Sequence, residues 1–375
     1  MKRLWAALKL GYVARRNRVF GAPRFQHWAA RLPLVRWIAR SRARGAFDLL
    51  AGFAYAQVLR AFVEGGLFAI LSQGPLGHAA IATRMGLSPA AALTLLRAGR
   101  ALRLAEEVLP DQWMLGEQGA VFASNAGVQA MVRHHRLLYA DLADPLALLR
   151  ADRRAPTALS RFWSYAGALH GAGERGAATQ EYSELMAASQ HFVAGEVLAA
   201  VRFARARRLL DVGGGHGAFL AAVGAAHPNL DVGLFDLPEV AAVGGARLAQ
   251  VLGEERVTIH PGDFFRDPIP EGYDMVALIR ILHDHDDAPA AALLANIRRS
   301  LAPGARLLIA EPMARIPGAE AMGEAFFGLY LWAMGSGRPR SLGEIAAMCR
   351  AAGFAAARPV ATAQPVNASV VLARA

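Results

Sequence analysis

The chain has 375 residues, of which 54% are hydrophobic and 19% are charged, and its formal net charge is +11. This length exceeds the ~100–200 residues of one domain and predicts two. The single cysteine, Cys349, excludes an internal disulfide and a cysteine-based zinc cluster, and it favours a reducing, cytoplasmic compartment. No metal is expected, and no uninterrupted apolar run reaches the ~18 residues of a membrane-spanning helix.

The positive charge is confined to a leader over residues 1–44. This leader has twelve Lys and Arg residues and no acid, which leaves 29 basic against 30 acidic residues in the rest of the chain. We therefore predict no nucleic-acid partner. The arginines alternate with aromatic residues, namely Trp5, Tyr12, Phe20, Phe25, Trp28 and Trp37. Two interpretations are open: peripheral contact with the cytoplasmic face of a membrane, or an arm that packs on a partner subunit.

The next segment predicts a helical domain with a winged-helix pattern. Residues 46–72 have apolar residues at helical spacing, and Ala79–Met85 and Ala90–Arg103 indicate a helix–turn–helix with Ser88 as N-cap. Glu107–Leu115 indicates a β-wing. Because the second helix has few polar residues that could read bases, a scaffold or dimerisation role is favoured over DNA binding.

Residues 125–200 predict further helices that cover a substrate pocket. We therefore divide the chain into the leader at 1–44, a helical dimerisation and substrate-covering domain at 45–200, and a catalytic domain at 201–375.

The catalytic domain is predicted to be a Rossmann-like α/β fold, because apolar runs alternate with helical segments from about Arg205. In such a sheet, ligands bind at the carboxyl ends of the strands. The runs predicted to be buried parallel strands are Leu209–Val212, Val232–Phe235, Val257–His260, Met275–Ile279 and Leu307–Ala310.

A glycine-rich turn, DVGGGHG, follows the first of these strands at residues 211–217. Glycines allow a tight turn and the close approach of a ligand to the backbone. Gly213, Gly215 and Ala218 also satisfy the dinucleotide fingerprint GxGxx(G/A), so the turn alone leaves two cofactor classes open. Asp236, at the end of the second strand, can bind ribose hydroxyls in either class.

Three features favour one class: Asp211 before the turn, GDFF at residues 262–265, and His283-Asp284 after the fourth strand. With these, the run DVGGGHG, FDLPEV, GDFF, LIRILHDHDD and LAPGARLLIAEPM resembles the class I methyltransferases of the caffeate and acetylserotonin O-methyltransferase type. The resemblance covers about 110 consecutive residues in the family's order and spacing.

This resemblance implies S-adenosylmethionine as cofactor, with S-adenosylhomocysteine as product. Asp236 would hold the ribose, Asp263 would accept from the adenine amino group and Phe264 would pack on the ring. Taken singly, each aspartate could instead cap a strand end. Arg280 stands next to the position where many family members have a lysine. The implied cofactor-binding set is Asp211, Gly213, Gly215, Asp236, Leu237, Asp263, Phe264 and Arg280.

The resemblance also implies a catalytic set. His283, at the carboxyl end of the fourth strand, would be the general base that takes the proton of the acceptor hydroxyl. Glu311 and Glu344 would flank and orient its imidazole. Ser341-x-x-Glu344 is also a capping box, which gives Glu344 a structural alternative. Asp284 is explained by the dipole of the following helix.

The segment FFGLYLWAMGSGRPRS at residues 326–341 resembles bacterial hydroxycarotenoid O-methyltransferases. It implies a lipophilic acceptor, methylated at a C1 tertiary hydroxyl, and the wider family implies a homodimer. Open alternatives are a phenol or polyketide O-methyltransferase, a chlorin C-methyltransferase, and a winged-helix regulator that senses S-adenosylmethionine. Aromatic and methionine residues that either line the pocket or form core are Trp163, Tyr165, Met186, Phe192, Phe326, Phe327, Tyr330, Trp332 and Met334.

Overall fold

The computed structural model describes residues 1–33, 35–167, 190 and 193–375. These residues form two compact units, Met1–Ala123 and Ser124–Ala375. The division therefore falls before the predicted boundary at 200/201, because Leu138 and Leu159 pack in one core with Tyr330 and Leu331. The functional division of the chain at residue 200 stays a prediction.

The first unit is helical, with one β-hairpin. Its helices are α1 (Lys2–Gly21), α2 (Pro23–Arg31), α3 (Arg36–Glu64), α4 (Leu67–Leu71), α5 (His78–Met85), α6 (Pro89–Ala101) and α7 (Glu117–Ala123). Its strands are β1 (Ala105–Leu109) and β2 (Gln112–Leu115), which pair antiparallel.

The predicted helix–turn–helix and wing are confirmed in this unit. Ser88 caps α6, since its Oγ accepts from the Ala91 amide at 3.2 Å, and Pro89 takes the first helical position. The hairpin packs through Trp113, which is fully buried.

The leader forms α1, α2 and the start of α3, with breaks near Pro23 and Pro33 as expected from the missing proline amide. Contrary to the sequence expectation, α3 is long and apolar enough to cross a membrane by length and composition. An 18-residue window of α3 has a mean hydropathy of 1.3 and is 11% buried. Counted together as one bent span, α5 and α6 meet the same criteria of length and composition. Core helices of soluble proteins and signal sequences pass the same test, so this is weak evidence for a span.

The second unit is an α/β sandwich around one sheet. Its helices are α8 (Ala126–Asp141), α9 (Pro145–Arg150), α10 (Ala158–Gly167), α11 (193–200), α12 (Ala218–Ala226), α13 (Pro238–Leu252), α14 (Asp287–Ser300), α15 (Phe327–Met334) and α16 (Leu342–Ala351). Its strands are β3 (Arg208–Val212), β4 (Asp231–Asp236), β5 (Val257–Pro261), β6 (Met275–Ile279), β7 (Arg306–Glu311), β8 (Ala356–Val360) and β9 (Ser369–Arg374).

The sheet has the strand order β5-β4-β3-β6-β7-β9-β8. The first five of these strands are parallel, which confirms all five predicted strands and the Rossmann-like fold. The last two are antiparallel and were not anticipated from the sequence. Because the parallel strands share one direction, the chain segments that follow them emerge at one edge of the sheet.

Hydrophobic layers cover both faces of the sheet. One layer contains Leu210, Val276 and Leu307 from the strands, packed with residues of α14 and α16. The opposite layer contains Leu209 and Leu308, packed with residues of α11, α12 and α13. Burial on both faces explains why these strands are continuous apolar runs rather than alternating ones.

Candidate active site

The glycine turn after β3 leaves room for a ligand at its centre. Gly213 and Gly215 have φ angles of 72° and 58°, which glycine adopts without strain. A Cβ on Gly213 would lie 2.6 Å from Ile281 Cδ1, whereas a Cβ on Gly215 would have nothing within 4 Å. The backbone at Gly215 therefore faces open space that a cofactor can enter.

Asp236, at the end of β4, is held against this turn. Its Oδ2 accepts from the Gly215 amide at 2.7 Å and its Oδ1 accepts from the Leu237 amide at 2.7 Å. Burial raises the pKa of Asp236 to about 6, although these two hydrogen bonds lower it. Each carboxylate oxygen keeps a further lone pair, so both can accept from the hydroxyls of a ribose.

Asp211 lies behind the same turn and is 1% exposed. Burial first, and then the charge of Asp236, raises the pKa of Asp211 well above its usual value. Within the described part of the chain its Oδ1 has no hydrogen-bond partner. A buried acceptor of this kind is costly unless a ligand donor reaches it, and a cationic amino group would satisfy it.

The turn after β5 holds Asp263 and Phe264. Asp263 Oδ1 accepts from the Phe265 amide at 2.9 Å, so this carboxylate caps the strand end. The carbonyl of Phe264 accepts from Asn296 Nδ2 at 3.1 Å. The Phe264 ring comes within 3.5 Å of a Cβ built on Gly213, which places it beside the glycine turn.

Arg280 directly follows β6 and has a φ of 59°, which is unusual for a non-glycine residue. Its amide donates to Ala310 O at 2.8 Å. Burial raises the pKa of Asp284, but His283, His285 and then Arg280 outweigh it and lower the pKa. The contact of Arg280 with the cofactor stays a prediction.

His283 lies in a short 3₁₀ turn after β6, between two carboxylates, and is 4% exposed. Its Nδ1 is 3.3 Å from Glu311 Oε2, and its amide donates to the same oxygen at 3.1 Å. Its Nε2 is 3.1 Å from Asp284 Oδ1. Burial lowers the pKa of His283, but Asp284 and then Glu311 outweigh it and raise the pKa to about 9.

These contacts make His283 a strong proton acceptor that is protonated at neutral pH. Glu311 is completely buried and fixes the Nδ1 side of the ring. Asp284, which the sequence analysis assigned to the helix dipole, is instead the partner of Nε2. The arrangement can therefore take a proton at Nε2 once an acceptor hydroxyl replaces Asp284 there and the ring is neutral.

Glu344 lies elsewhere, and its predicted place beside the imidazole is wrong. Its Oε2 accepts from Ser341 N at 2.9 Å and Ser341 Oγ at 2.6 Å, and its Oε1 accepts from Arg338 Nη1 at 2.9 Å. The capping box is thus confirmed. The hydrogen bonds to Ser341, ahead of the Arg338 pairing, lower the pKa of Glu344 to about 2.

Arg340 supports the turn that carries His283 and was missed as a site residue by the sequence analysis. It is fully buried and donates from Nη1 to Leu282 O at 2.6 Å and from Nη2 to His285 O at 2.7 Å. Its Nη2 also lies 2.8 Å from Asp287 Oδ1. The available signal was an arginine in the glycine-rich run GSGRPRS, just before a capping serine.

Gly337 brings the same loop onto the His283 turn. Its φ is 77°, and a Cβ there would overlap the carbonyl oxygen of His283 and lie 2.5 Å from the carbonyl carbon of Asp284. Only glycine allows this approach. Arg153 donates to the Gly337 carbonyl and pairs with Asp286, which fixes the loop from the other side.

The predicted lining residues separate into four groups. Phe327 is partly buried and its ring centroid lies 5.9 Å from that of His283. Trp163, Tyr330 and Met334 belong to a buried core, with Phe326 packed against it, while Trp332 lies under the Arg153 guanidinium. The side chain of Tyr165, together with Met186 and Phe192, lies outside the described residues.

Comparison with known proteins identifies the family. Residues 139–355 match the model of the O-methyltransferase domain. The chain is 40% identical to demethylspheroidene O-methyltransferase of Cereibacter sphaeroides over 95% of this chain and 93% of the relative. It is 39% identical to the enzyme of the same name from Rhodobacter capsulatus, over 91% of this chain and 84% of that relative. The chain therefore belongs to the O-methyltransferase family and is an enzyme.

A solved structure with the same fold shows the cofactor class. The methyltransferase of calicheamicin biosynthesis, in its S-adenosylhomocysteine-bound form, aligns with a TM-score of 0.74 at 25% identity, over 89% of this chain and 98% of that one. The cofactor of the enzyme described here, as a member of this family, is S-adenosylmethionine. The open space at Gly215 lets this cofactor approach the backbone, and the carboxylate of Asp236 fits its ribose. Asp211 Oδ1, which has no partner among the described residues, fits its amino group.

Proposed function

We propose that this enzyme transfers the methyl group of S-adenosylmethionine to the C1 tertiary hydroxyl of an acyclic, demethylspheroidene-like hydroxycarotenoid, in carotenoid biosynthesis. The observation that carries the proposal is the 40% identity to demethylspheroidene O-methyltransferase over 95% of this chain. The basicity of the buried histidine supports it further, because a tertiary alcohol is far less acidic than a phenol.

The proposed mechanism assigns proton removal to His283. When bound, S-adenosylmethionine supplies an electrophilic methyl group. The acceptor hydroxyl would take the place of Asp284 Oδ1 at Nε2, where the neutral ring would accept its proton. The new bond between the oxygen and the methyl carbon would form as the bond from that carbon to sulfur breaks, with S-adenosylhomocysteine as the leaving group. Glu311 faces Nδ1 at 3.3 Å and stabilises the imidazolium that forms. Arg340 is a positioning residue in this scheme, because it holds the turn on both sides of His283.

Aromatic side chains beside His283 support an apolar, extended acceptor. The centroid of the Phe327 ring lies 5.0 Å from that of Phe326 and 6.2 Å from that of Tyr330. Tyr330 is itself fixed, because His134 Nε2 lies 2.7 Å from its Oη and Trp163 Nε1 donates to it at 3.0 Å. Rigid aromatic surface of this kind suits a planar polyene better than a small polar phenol.

An acceptor screen tests the function. Purified enzyme is offered labelled S-adenosylmethionine with demethylspheroidene, a simple phenol or a chlorin, and methylated product is identified by mass spectrometry. We expect label in demethylspheroidene alone. Label in a phenol or a chlorin, with none in the carotenoid, would refute the proposed acceptor while leaving the methyltransferase assignment in place.

We also propose that the enzyme is cytoplasmic and attaches peripherally to a membrane through residues 1–44, because its acceptor is membrane-soluble. The leader exposes Trp5, Trp28 and Trp37 and carries twelve basic residues. Indole rings favour the bilayer interface, and each Lys or Arg near anionic lipid contributes about 1 kcal/mol. This combination supports membrane contact over the alternative of an arm on a partner subunit.

Vesicle co-sedimentation of the full chain tests the attachment. We expect binding to vesicles containing phosphatidylglycerol, a loss of binding when Trp5, Trp28 and Trp37 are all changed to serine, and weak binding to pure phosphatidylcholine. The matched control changes the exposed Val243 and Val251 of α13 to serine and should bind like the parent. Equal binding by the tryptophan variant would contradict the proposed contact.

The third proposal is that the enzyme is a homodimer through the helical first unit. Leu49, Leu50 and Phe53 on α3 are 72–88% exposed, which leaves an apolar face that a second copy can cover. Analytical ultracentrifugation should give twice the 39.9 kDa chain mass, and Leu50→Glu with Phe53→Glu should give the monomer. A parent that sediments as a monomer at micromolar concentration would refute it.

A further inference from the structure

A cluster of arginines lies at the amino-terminal edge of the sheet, opposite the candidate active site. Two adjoining cavities of about 430 and 940 Å³ open there, and three arginines line both of them: Arg205, Arg306 and Arg358. Arg202 lines the smaller cavity and Arg374 the larger one. We call these five residues the arginine cluster.

The sheet register forces members of the cluster onto one face. Arg306 of β7 is directly opposite Arg374 of β9, and Arg358 of β8 is opposite Leu372, two positions away from Arg374. Directly opposite residues, and residues two apart on a strand, share a face of the sheet. Like charges placed this way repel each other and destabilise the pairing. A bound anion would remove that repulsion.

One carboxylate lines the larger cavity, and its single negative charge offsets the five positive charges of the cluster only in part. It belongs to Asp274, whose Oδ2 accepts from the amides of Arg207 and Arg208 at 2.7 and 3.0 Å. Arg306 donates from Nη1 to the Arg202 carbonyl at 3.2 Å, but its buried Nη2 has no partner among the described residues. Burial and then the charge of Arg205 lower the pKa of Arg306, and the charge of Asp274 opposes them. A buried guanidinium donor is therefore left for a ligand.

The remaining cavity walls indicate the kind of anion. The smaller cavity is otherwise lined by Ala200, Ala204, Val360 and Leu372, so an apolar surface lies directly beside the guanidinium groups. Guanidinium groups bind phosphoryl oxygens through paired hydrogen bonds. We propose that the arginine cluster binds the phosphoryl group of a small amphiphile, either an anionic phospholipid headgroup or a soluble phosphate compound.

Titration calorimetry on the full enzyme, with saturating S-adenosylhomocysteine present, tests the proposal. The probes are pyrophosphate, short-chain dihexanoylphosphatidylglycerol below its micelle concentration, and the zwitterionic phosphatidylcholine of the same chain length. We expect saturable binding of at least one anionic probe. The Arg205→Gln and Arg358→Gln variants should each bind it about tenfold more weakly or worse, because each removes a charged hydrogen-bond donor.

The control variant is Arg247→Gln, an exposed arginine of α13 outside the cluster, which should bind like the parent. Unchanged affinity for S-adenosylhomocysteine in every variant reports intact folding. Binding of pyrophosphate alone would identify a soluble ligand, and binding of phosphatidylglycerol alone a lipid headgroup. The proposal is overturned if neither anionic probe binds saturably, or if Arg205→Gln and Arg358→Gln bind as tightly as Arg247→Gln.

Discussion

Replacing Asp284 by asparagine should lower the pKa of His283 and move the pH dependence of catalysis. In the parent, Asp284 is the largest of the influences that raise this pKa, and together with Glu311 it overcomes burial and brings the value from 6.5 to about 9. At pH 7 only roughly one enzyme molecule in a hundred then has a neutral His283. If the neutral ring is the base, kcat/KM for the acceptor, which reports the ionisation of the enzyme before the acceptor binds, should rise with pH and level off near pH 9.

Asp284→Asn removes the charge but keeps the shape of the side chain. The raising effect of Asp284 on the pKa of His283 is then lost while the lowering effect of burial remains, so we expect the rising limb of kcat/KM to move down by about one pH unit or more. The assay is the initial rate of methyl transfer from pH 6 to 10, with S-adenosylmethionine saturating and the acceptor well below its KM. A parallel NMR titration of the His283 imidazole separates its ionisation from that of the acceptor.

The matched control is Asp231→Asn, an exposed aspartate at the start of β4, at the opposite edge of the sheet. Its profile should coincide with that of the parent. A parent profile that levels off near pH 6.5, or an Asp284→Asn profile that does not move, would refute the argument that the carboxylates control this base.

The same raised pKa predicts a pH dependence of stability. Because protonated His283 is favoured more in the folded enzyme than in the unfolded chain, its contribution is complete below about pH 6.5. It is lost as the pH rises through about 9. Urea unfolding at pH 7 and pH 10 should show a smaller loss in Asp284→Asn than in the parent, and equal losses would contradict the coupling.

Three further variants probe the cofactor site and the loop that supports His283. Asp236→Ala should weaken S-adenosylhomocysteine binding by tenfold or more in calorimetry. In the parent enzyme the same binding should weaken below about pH 6, because Asp236 takes up a proton there. Parent binding that does not change between pH 5 and pH 8 would count against this role of Asp236. Gly337→Ala should lower the free energy of unfolding by about 1–3 kcal/mol and reduce kcat, because the new Cβ overlaps the His283 carbonyl. The control is Gly343→Ala, whose new Cβ has nothing within 4 Å and which should change neither stability nor kcat. Arg340→Met should cost about 3 kcal/mol of stability and alter the pH profile of kcat, since it frees the turn that carries His283; a profile like that of the parent would assign Arg340 to stability alone.

Much of the fold could be predicted because local patterns specify it. The five parallel strands are buried on both faces and read as apolar runs, and the Ser88 and Ser341 caps follow from short-range hydrogen bonding. The antiparallel strands β8 and β9 escaped prediction. Ser369–Arg374 becomes a strand by pairing with β7, which is far away in sequence, and Ala356–Val360 becomes one by pairing with β9. Such pairing depends on tertiary context more than on local preference.

The candidate site divides in the same way. The order of Asp211, Asp236 and His283 along the chain, each at a strand end, was enough to propose a cofactor edge and a base. The sequence could not show which carboxylates contact that base, because residues distant along the chain meet only after folding. The structure brings Asp284 and Glu311 to His283 and leaves Glu344 with Ser341 and Arg338.

The sequence by itself determined that the positive charge lies in residues 1–44, that a Rossmann-like sheet follows, and that its motifs are those of a methyltransferase. Only the tertiary structure decided the proton affinity of His283, which depends on burial and on two carboxylates within 3.3 Å. Only the sheet register placed Arg306 opposite Arg374. Charge and motif are properties of the chain, whereas electrostatic coupling depends on distances that folding alone sets.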